Sequence, residues 1–168
     1  MPCAPSRAPA RRAGRDGSAD VGLRRRAREG ALQALCFLEH HPELSVDQGL
    51  ALFFDHLAGS RGEDDAAGED EPGTGEGRSF VERIVRGVHG RREEIDERLT
   101  AASQNWRLER MARVDRNLLR LAAFEILCCD DIPPKVAINE AVEIAKAYST
   151  RESAAFVNGI LDRVLSTK

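Results

Sequence analysis

The sequence predicts an all-α fold of five to seven helices, on three observations. Apolar residues recur at intervals of three and four along most of the chain, and no stretch alternates apolar with polar residues as a half-buried strand would. Several apolar runs are preceded by Ser-x-x-Glu or Ser-x-x-Gln pairs, the spacing of a capping box. With 168 residues and 42% hydrophobic content, the chain can bury one compact core.

Residues 1–20 mix Pro, Ala, Gly and Arg without periodicity and are expected to form a disordered basic arm. A first helix is predicted from Val21 to Glu39, with Leu23, Ala27, Ala31, Leu35 and Leu38 on one face and Arg24, Arg25 and Arg28 off it. His40, His41 and Pro42 end it. Ser45 and Gln48 then open a short helix through Val46, Leu50, Phe53, Phe54 and Leu57. Residues 59–77, rich in Gly, Asp and Glu, read as an acidic loop that contributes nothing to a core.

Ser79 and Glu82 repeat the capping spacing before a long helix carrying Val81, Ile84, Val85, Val88, Ile95 and Leu99, in which Gly87 and Gly90 mark either a close crossing or a mild bend. A fourth helix begins near Val114 and Asp115, runs through Leu118, Leu119, Ala122, Ala123 and Ile126, and stops between Asp130 and Pro134. Pro133 and Pro134 suit a helix start. The stripe that follows, Ala137, Ala141, Ile144, Ala145 and Tyr148, is narrow and lets a neighbouring helix approach. Ser149 and Glu152 supply the last capping spacing, before Val157, Ile160, Leu161 and Val164. Together these elements form one all-α domain over 21–168, with an N-terminal half 21–103 that contains the acidic loop and a C-terminal half 104–168.

A net charge of −3 conceals a strong asymmetry. Residues 1–28 hold eight arginines against two aspartates, whereas residues 59–78 hold seven carboxylates against two arginines. Charge patterning of this kind says more about partners than the total does. Arg24, Arg25 and Arg28, fixed at the start of a helix, would present guanidinium forks to phosphates at defined spacing. So few charges position a nucleic acid more than they hold it.

The residue pattern gives catalysis little to work with. His40 and His41 are adjacent at a helix end, His56 and His89 stand apart, and Cys3, Cys36, Cys128 and Cys129 form no metal-ligand spacing. Cys36, Cys128 and Cys129 read as small buried hydrophobes. Phosphate-loop, H-E-x-x-H and G-x-S-x-G motifs are absent from the sequence, and Glu140 with Glu143 reads as a solvated helix face. The expectation is a protein that is not an enzyme and has no cofactor or metal. Without a run of about 20 apolar residues or a secretory leader, it is expected in the cytoplasm and off the membrane. For Asn158 a buried hydrogen bond is expected, and for Gly159 a close helix crossing. Arg116 and Arg120 could reach either RNA or a carboxylate across the helix packing.

Two stretches resemble one family, the bacterial transcription antitermination factors NusB. The first is Arg24-Arg25-Arg26-Ala27-Arg28-Glu29 with Ala31, Gln33, Ala34 and Leu35. The second, more specific, comprises Val114-Asp115-Arg116, Leu119-Arg120-Leu121-Ala122, Phe124-Glu125, Pro134-Lys135-Val136-Ala137-Ile138-Asn139-Glu140-Ala141 and Phe156-Val157-Asn158-Gly159-Ile160-Leu161-Asp162. The resemblance implies two packed helical halves and pairing with NusE, a small-subunit ribosomal protein that doubles as a transcription factor. The pair would bind single-stranded boxA RNA, join an antitermination complex on RNA polymerase and support rRNA operon transcription. It further implies that Arg24, Arg25, Arg28, Glu152 and Phe156 contact RNA, with Phe156 offset from the core stripe so that a base can stack on it. Glu109 would lie near the NusE face. Cys36 stands there too, where relatives often carry tyrosine, and Glu94 replaces another aromatic near RNA. Two alternatives remain: a regulatory homodimer whose arginines are masked by its own acidic loop, and a helical RNA-binding subunit of an rRNA-modifying enzyme.

Overall fold

The computed structural model describes residues 17–60, 71–104 and 106–168. Cys3, most of the expected basic arm and the middle of the acidic loop lie outside the described residues. Among the described residues seven α-helices follow one another: α1 (Gly17–His40), α2 (Val46–Gly59), α3 (Gly75–Gly90), α4 (Arg92–Ala102), α5 (Arg113–Cys128), α6 (Pro134–Tyr148) and α7 (Arg151–Ser166), with a 3₁₀ turn Leu108–Arg110 before α5. The described residues contain no strand, and none of their helices is long and apolar enough to cross a membrane.

Helix α1 is the axis of the molecule. It packs on α2, α3 and α5, while α6 and α7 close over the other faces of α5. Because neighbours surround α1, Ala27, Arg28, Gly30, Ala31, Leu32, Ala34 and Leu35 are all buried. A single apolar stripe therefore understates its burial, and Arg28 falls inside. One continuous cluster of buried side chains extends from Ala31 to Val164.

Local chemistry sets the element boundaries. At α2 the Ser45 hydroxyl accepts from Gln48 N at 3.2 Å while the Gln48 side chain accepts from Ser45 N at 3.0 Å, the expected capping box, worth about 1 kcal/mol. Elsewhere the caps move. Helix α3 begins earlier than its Ser-x-x-Glu pair suggests: Thr74 is the N-cap residue, and Ser79 lies inside the helix, bonding back to the Gly75 carbonyl. The edge of the acidic segment thus does join the packed structure, since a Cβ on Gly77 would lie 2.3 Å from the Glu71 carbonyl oxygen and one on Gly30 would lie 2.7 Å from Pro72. At α7 the cap is Thr150, whose hydroxyl accepts from Ser153 N, one residue beyond the expected serine.

The long helix expected through Leu99 is two helices that break at Arg91. Gly87 serves a close crossing, because a Cβ there would meet the Phe124 ring of α5 at 2.0 Å, whereas Gly90 has open space and only marks the end of α3. Three expectations for the C-terminal region are corrected. Gly159 faces open space, Asn158 is exposed and donates to Asp162 one turn on at 2.9 Å, and Tyr148 is 48% exposed instead of part of the buried stripe. Of the cysteines, Cys129 is buried and Cys36 and Cys128 are partly so.

Candidate nucleic-acid interface

The first turns of α1 divide the arginine cluster. Arg24 is exposed and borders a shallow recess shared with Phe80, Arg83 and Asp131. Arg83, hydrogen-bonded to Asp131, holds that carboxyl down to about 2, and Arg24 adds a weaker pull. Arg25 is 37% exposed and forks onto Glu140 of α6, with Nε and Nη2 donating to the two carboxylate oxygens at 2.8 Å each. Glu140 is therefore a buried clasp for α1 and not the solvated residue expected, while Glu143 faces solvent and pairs with Lys146.

Arg28 departs from its expected role. It is 2% exposed, and its Nε donates to both oxygens of the fully buried Glu125 of α5, at 2.9 and 3.1 Å. Its guanidinium also lies over the Phe80 ring at 5.5 Å. A side chain enclosed in this way cannot reach a phosphate at the surface, so Arg28 is corrected from an RNA contact to an internal tie. Burial pushes the Glu125 carboxyl up, and the Arg28 charge and hydrogen bond pull part of the way back.

A second cluster forms where α7 begins. Glu152 is exposed, Phe156 is half-buried, and both line a recess of about 240 Å³ together with Trp106, Arg110, Asp115 and Ser153. The rings of Phe156 and Trp106 meet edge to face, with centroids 5.7 Å apart and planes at 71°. Trp106 is 61% exposed, with its backbone N–H donating to the Ser103 carbonyl and its carbonyl accepting from the Ser103 hydroxyl at 2.8 Å. Gln104 in that turn holds φ at 22°, a conformation side-chain-bearing residues rarely adopt and one found often at binding sites. Trp106 was missed in the sequence, although a lone tryptophan outside every apolar stripe and next to Arg107 was a signal.

The two clusters lie toward opposite ends of α5, at Glu125 and at Asp115, about 15 Å apart along the helix axis. Tyr148, at the end of α6, is exposed, and its phenol is pushed up by burial and by the nearby Glu29 carboxylate of α1. Arg24, Arg25, Tyr148, Glu152, Phe156 and Trp106 therefore span the α1 start, the α6–α7 junction and the turn before α5.

Cys36 and the Glu109 backbone are linked through Asn117, Glu39 and Arg116. Cys36 Sγ accepts from Asn117 at 3.6 Å, and burial pushes its thiol up. Asn117 also donates to Glu39 at 2.6 Å, and Glu39 pairs with Arg116, whose guanidinium reaches the Glu109 carbonyl at 3.4 Å. Burial alone would raise Glu39, but hydrogen bonds from Asn117 and Arg116 and the charges of Arg116 and Arg120 outweigh it and hold the carboxyl low. Arg120 forks onto Asp96 at 2.7 and 2.9 Å, so both uncommitted arginines belong to carboxylates. Glu94 is exposed beside Arg91.

Fold and surface together define an all-helical protein that presents fixed arginines and exposed aromatics on one chain. The NusB family model matches residues 25–166, and the chain belongs to that family. A transcription antitermination protein NusB of Anaeromyxobacter dehalogenans is 46% identical over 85% of this chain and 90% of its own length. One from Trichlorobacter lovleyi is 47% identical over 86% and 91%. Among solved structures, T. maritima NusB superposes with a TM-score of 0.70 at 35% identity, covering 85% of this chain and 90% of that one. A structure of the antitermination factors NusB and NusE in complex with double-stranded RNA shares the fold, with a TM-score of 0.69 at 19% identity over 88% and 98%.

Proposed function

We propose that this chain is a non-enzymatic RNA-binding transcription antitermination factor that acts in the cytoplasm. It binds boxA-type single-stranded RNA together with NusE, within an antitermination complex on RNA polymerase, and supports rRNA operon transcription. Arg24 and Arg25 contact phosphates, Phe156 stacks a base, and Glu152 borders the same strand. Cys36 and Glu109 mark the NusE face, and Arg28 acts from inside by fixing the helix that carries its neighbours. Residues 21–168 serve as one domain in this reading, with the halves 21–103 and 104–168.

The observation that carries the reading is the mounting of Arg24 and Arg25. Arg25 is clasped by Glu140 through two of its nitrogens, and the adjacent Arg28–Glu125 pair anchors the same helix in the core, so the Arg25 guanidinium is held, and the helix that carries Arg24 is fixed, before a ligand arrives. Preorganisation of this kind lowers the entropy lost on binding. The direct test is a titration of boxA RNA with and without NusE across a range of salt. Binding is expected to weaken steeply with salt and to tighten when NusE adds its surface. Absence of RNA binding at low salt, with and without NusE, rejects the reading.

A further inference from the structure

We infer that the recess between Trp106 and Phe156 is a base-reading pocket selective for guanine, with Asp115 as the specificity-determining residue. The inference rests on the RNA-binding reading and goes beyond it by assigning a base and a reader. Asp115 is 8% exposed and lines the recess. One carboxylate oxygen, Oδ2, accepts from the Ser153 hydroxyl at 3.0 Å, whereas Oδ1 is buried with no hydrogen-bond partner. A buried acceptor in that condition loses the solvation it had in water and gains nothing in return, so it favours any ligand that brings an N–H to it.

The surroundings restrict which ligand that is. The edge-to-face arrangement of Trp106 and Phe156 leaves ring faces open, suiting a planar aromatic group that can stack. On the rim stand a cation, Arg110, and a second carboxylate, Glu152. A planar group offering N–H donors to one wall and acceptors to the other therefore fits better than one with acceptors alone. Guanine does this: N1–H and the N2 amine lie side by side for a carboxylate, while O6 and N7 form the edge that arginine takes in a bidentate manner. Uracil has one N–H between two carbonyls and would turn an acceptor toward Asp115. Ser153 also fixes the orientation of the carboxylate, because its hydroxyl takes one lone pair of Oδ2 and leaves the second, together with Oδ1, for the two N–H groups of the base.

The test uses the full chain and three ten-nucleotide single-stranded RNAs: oligouridine with one central guanosine, the same with inosine in its place, and oligouridine itself. Inosine lacks only the N2 amine. Trp106 is the single tryptophan of the chain, so its fluorescence quenching reports from the recess itself. The guanosine probe is expected to bind about tenfold more tightly than either of the others, the usual discrimination of a good bidentate contact. In Asp115→Asn the Ser153 hydroxyl holds the amide oxygen and turns the amide N–H groups toward the base, so the preference for guanosine disappears while binding of oligouridine persists. Inosine binding as tightly as guanosine, or equal affinity of the wild type for all three probes, with quenching still seen, overturns the guanine pocket and leaves RNA binding intact. Failure of every probe to bind at low salt overturns both readings. The inosine comparison needs no variant and decides the matter even if Asp115→Asn does not fold.

Discussion

The two ends of the α1–α5 contact are built from the same residue types with the roles exchanged. Midway along α1, the helix supplies the cation and α5 the anion: the Arg28 Nε donates to both oxygens of Glu125 in a buried setting. Near its end, α1 supplies the anion and α5 the cations, with Glu39 facing Arg113, Arg116 and Arg120. The antiparallel register of the two helices is thereby marked at both ends, and a slip by one turn would leave charges unpaired at each. The ends differ in what remains. The dry end consumes its arginine, whereas the wetter end leaves several guanidinium groups around one carboxylate and a cationic rim.

The largest expected effect breaks the dry end. Arg28→Ala strands the Glu125 carboxylate in the core and is expected to cost roughly 3–5 kcal/mol in urea unfolding, since removing one partner of a buried ion pair leaves an uncompensated charge. Replacing both partners, Arg28→Met with Glu125→Leu, should recover most of that loss. A loss below about 1 kcal/mol in the single variant would show that the pair is far more hydrated than its burial indicates.

Next in size is the aromatic cluster, which belongs to neither end of the charge pattern. Phe156→Ala and Trp106→Ala should each weaken boxA RNA binding by about 1–3 kcal/mol through lost stacking. Of the two, Trp106→Ala should leave unfolding stability nearly unchanged, because its ring is mostly exposed, whereas Phe156 also packs against the core. Loss of stability without loss of affinity would make both residues structural.

The smallest effect separates the two ends by pH. Glu39 is held below the usual carboxylate range, so its contribution is present above its unfolded pKa of about 4.3 and is lost as pH falls through the folded value. Glu125 is shifted upward, so its contribution is present below about 4.3 and is lost as pH rises through its folded value. Stability against pH should therefore show a shallower acid limb in Glu39→Gln, with Asp131 still contributing there, and a smaller decline just above that point in Glu125→Gln. The same slope change in both variants would contradict the contrast.

Much of the fold is legible in the sequence because helical periodicity and caps are local: the Ser45–Gln48 box and the Pro133–Pro134 start stand where the residues put them. Properties set by distant neighbours are not local. Arg28 sits off the apolar stripe of its own helix, yet α3 and α5 enclose it, and the partner that neutralises it is 97 residues away. Glu140 looks like one member of a solvated pair until α1 lies across it. Gly87 could be assigned to a crossing only once Phe124 was seen against it. For the candidate site, the resemblance supplied Glu152 and Phe156. Trp106 and Asp115 are brought to that site by the packing of the turn before α5 against the start of α7, which no local pattern encodes.

The central claim is that the arginine cluster is divided, with Arg24 and Arg25 facing RNA and Arg28 facing inward. The salt dependence of RNA affinity tests it most directly, because each phosphate contact on a single strand contributes a slope of about 0.7. Substituting Arg24→Gln and Arg25→Gln together should reduce the slope of log affinity against log salt by about 1.4, while Arg28→Gln, measured where it is folded, should leave the slope as it is. An unchanged slope in the double variant, or a reduced one in Arg28→Gln, would contradict the division.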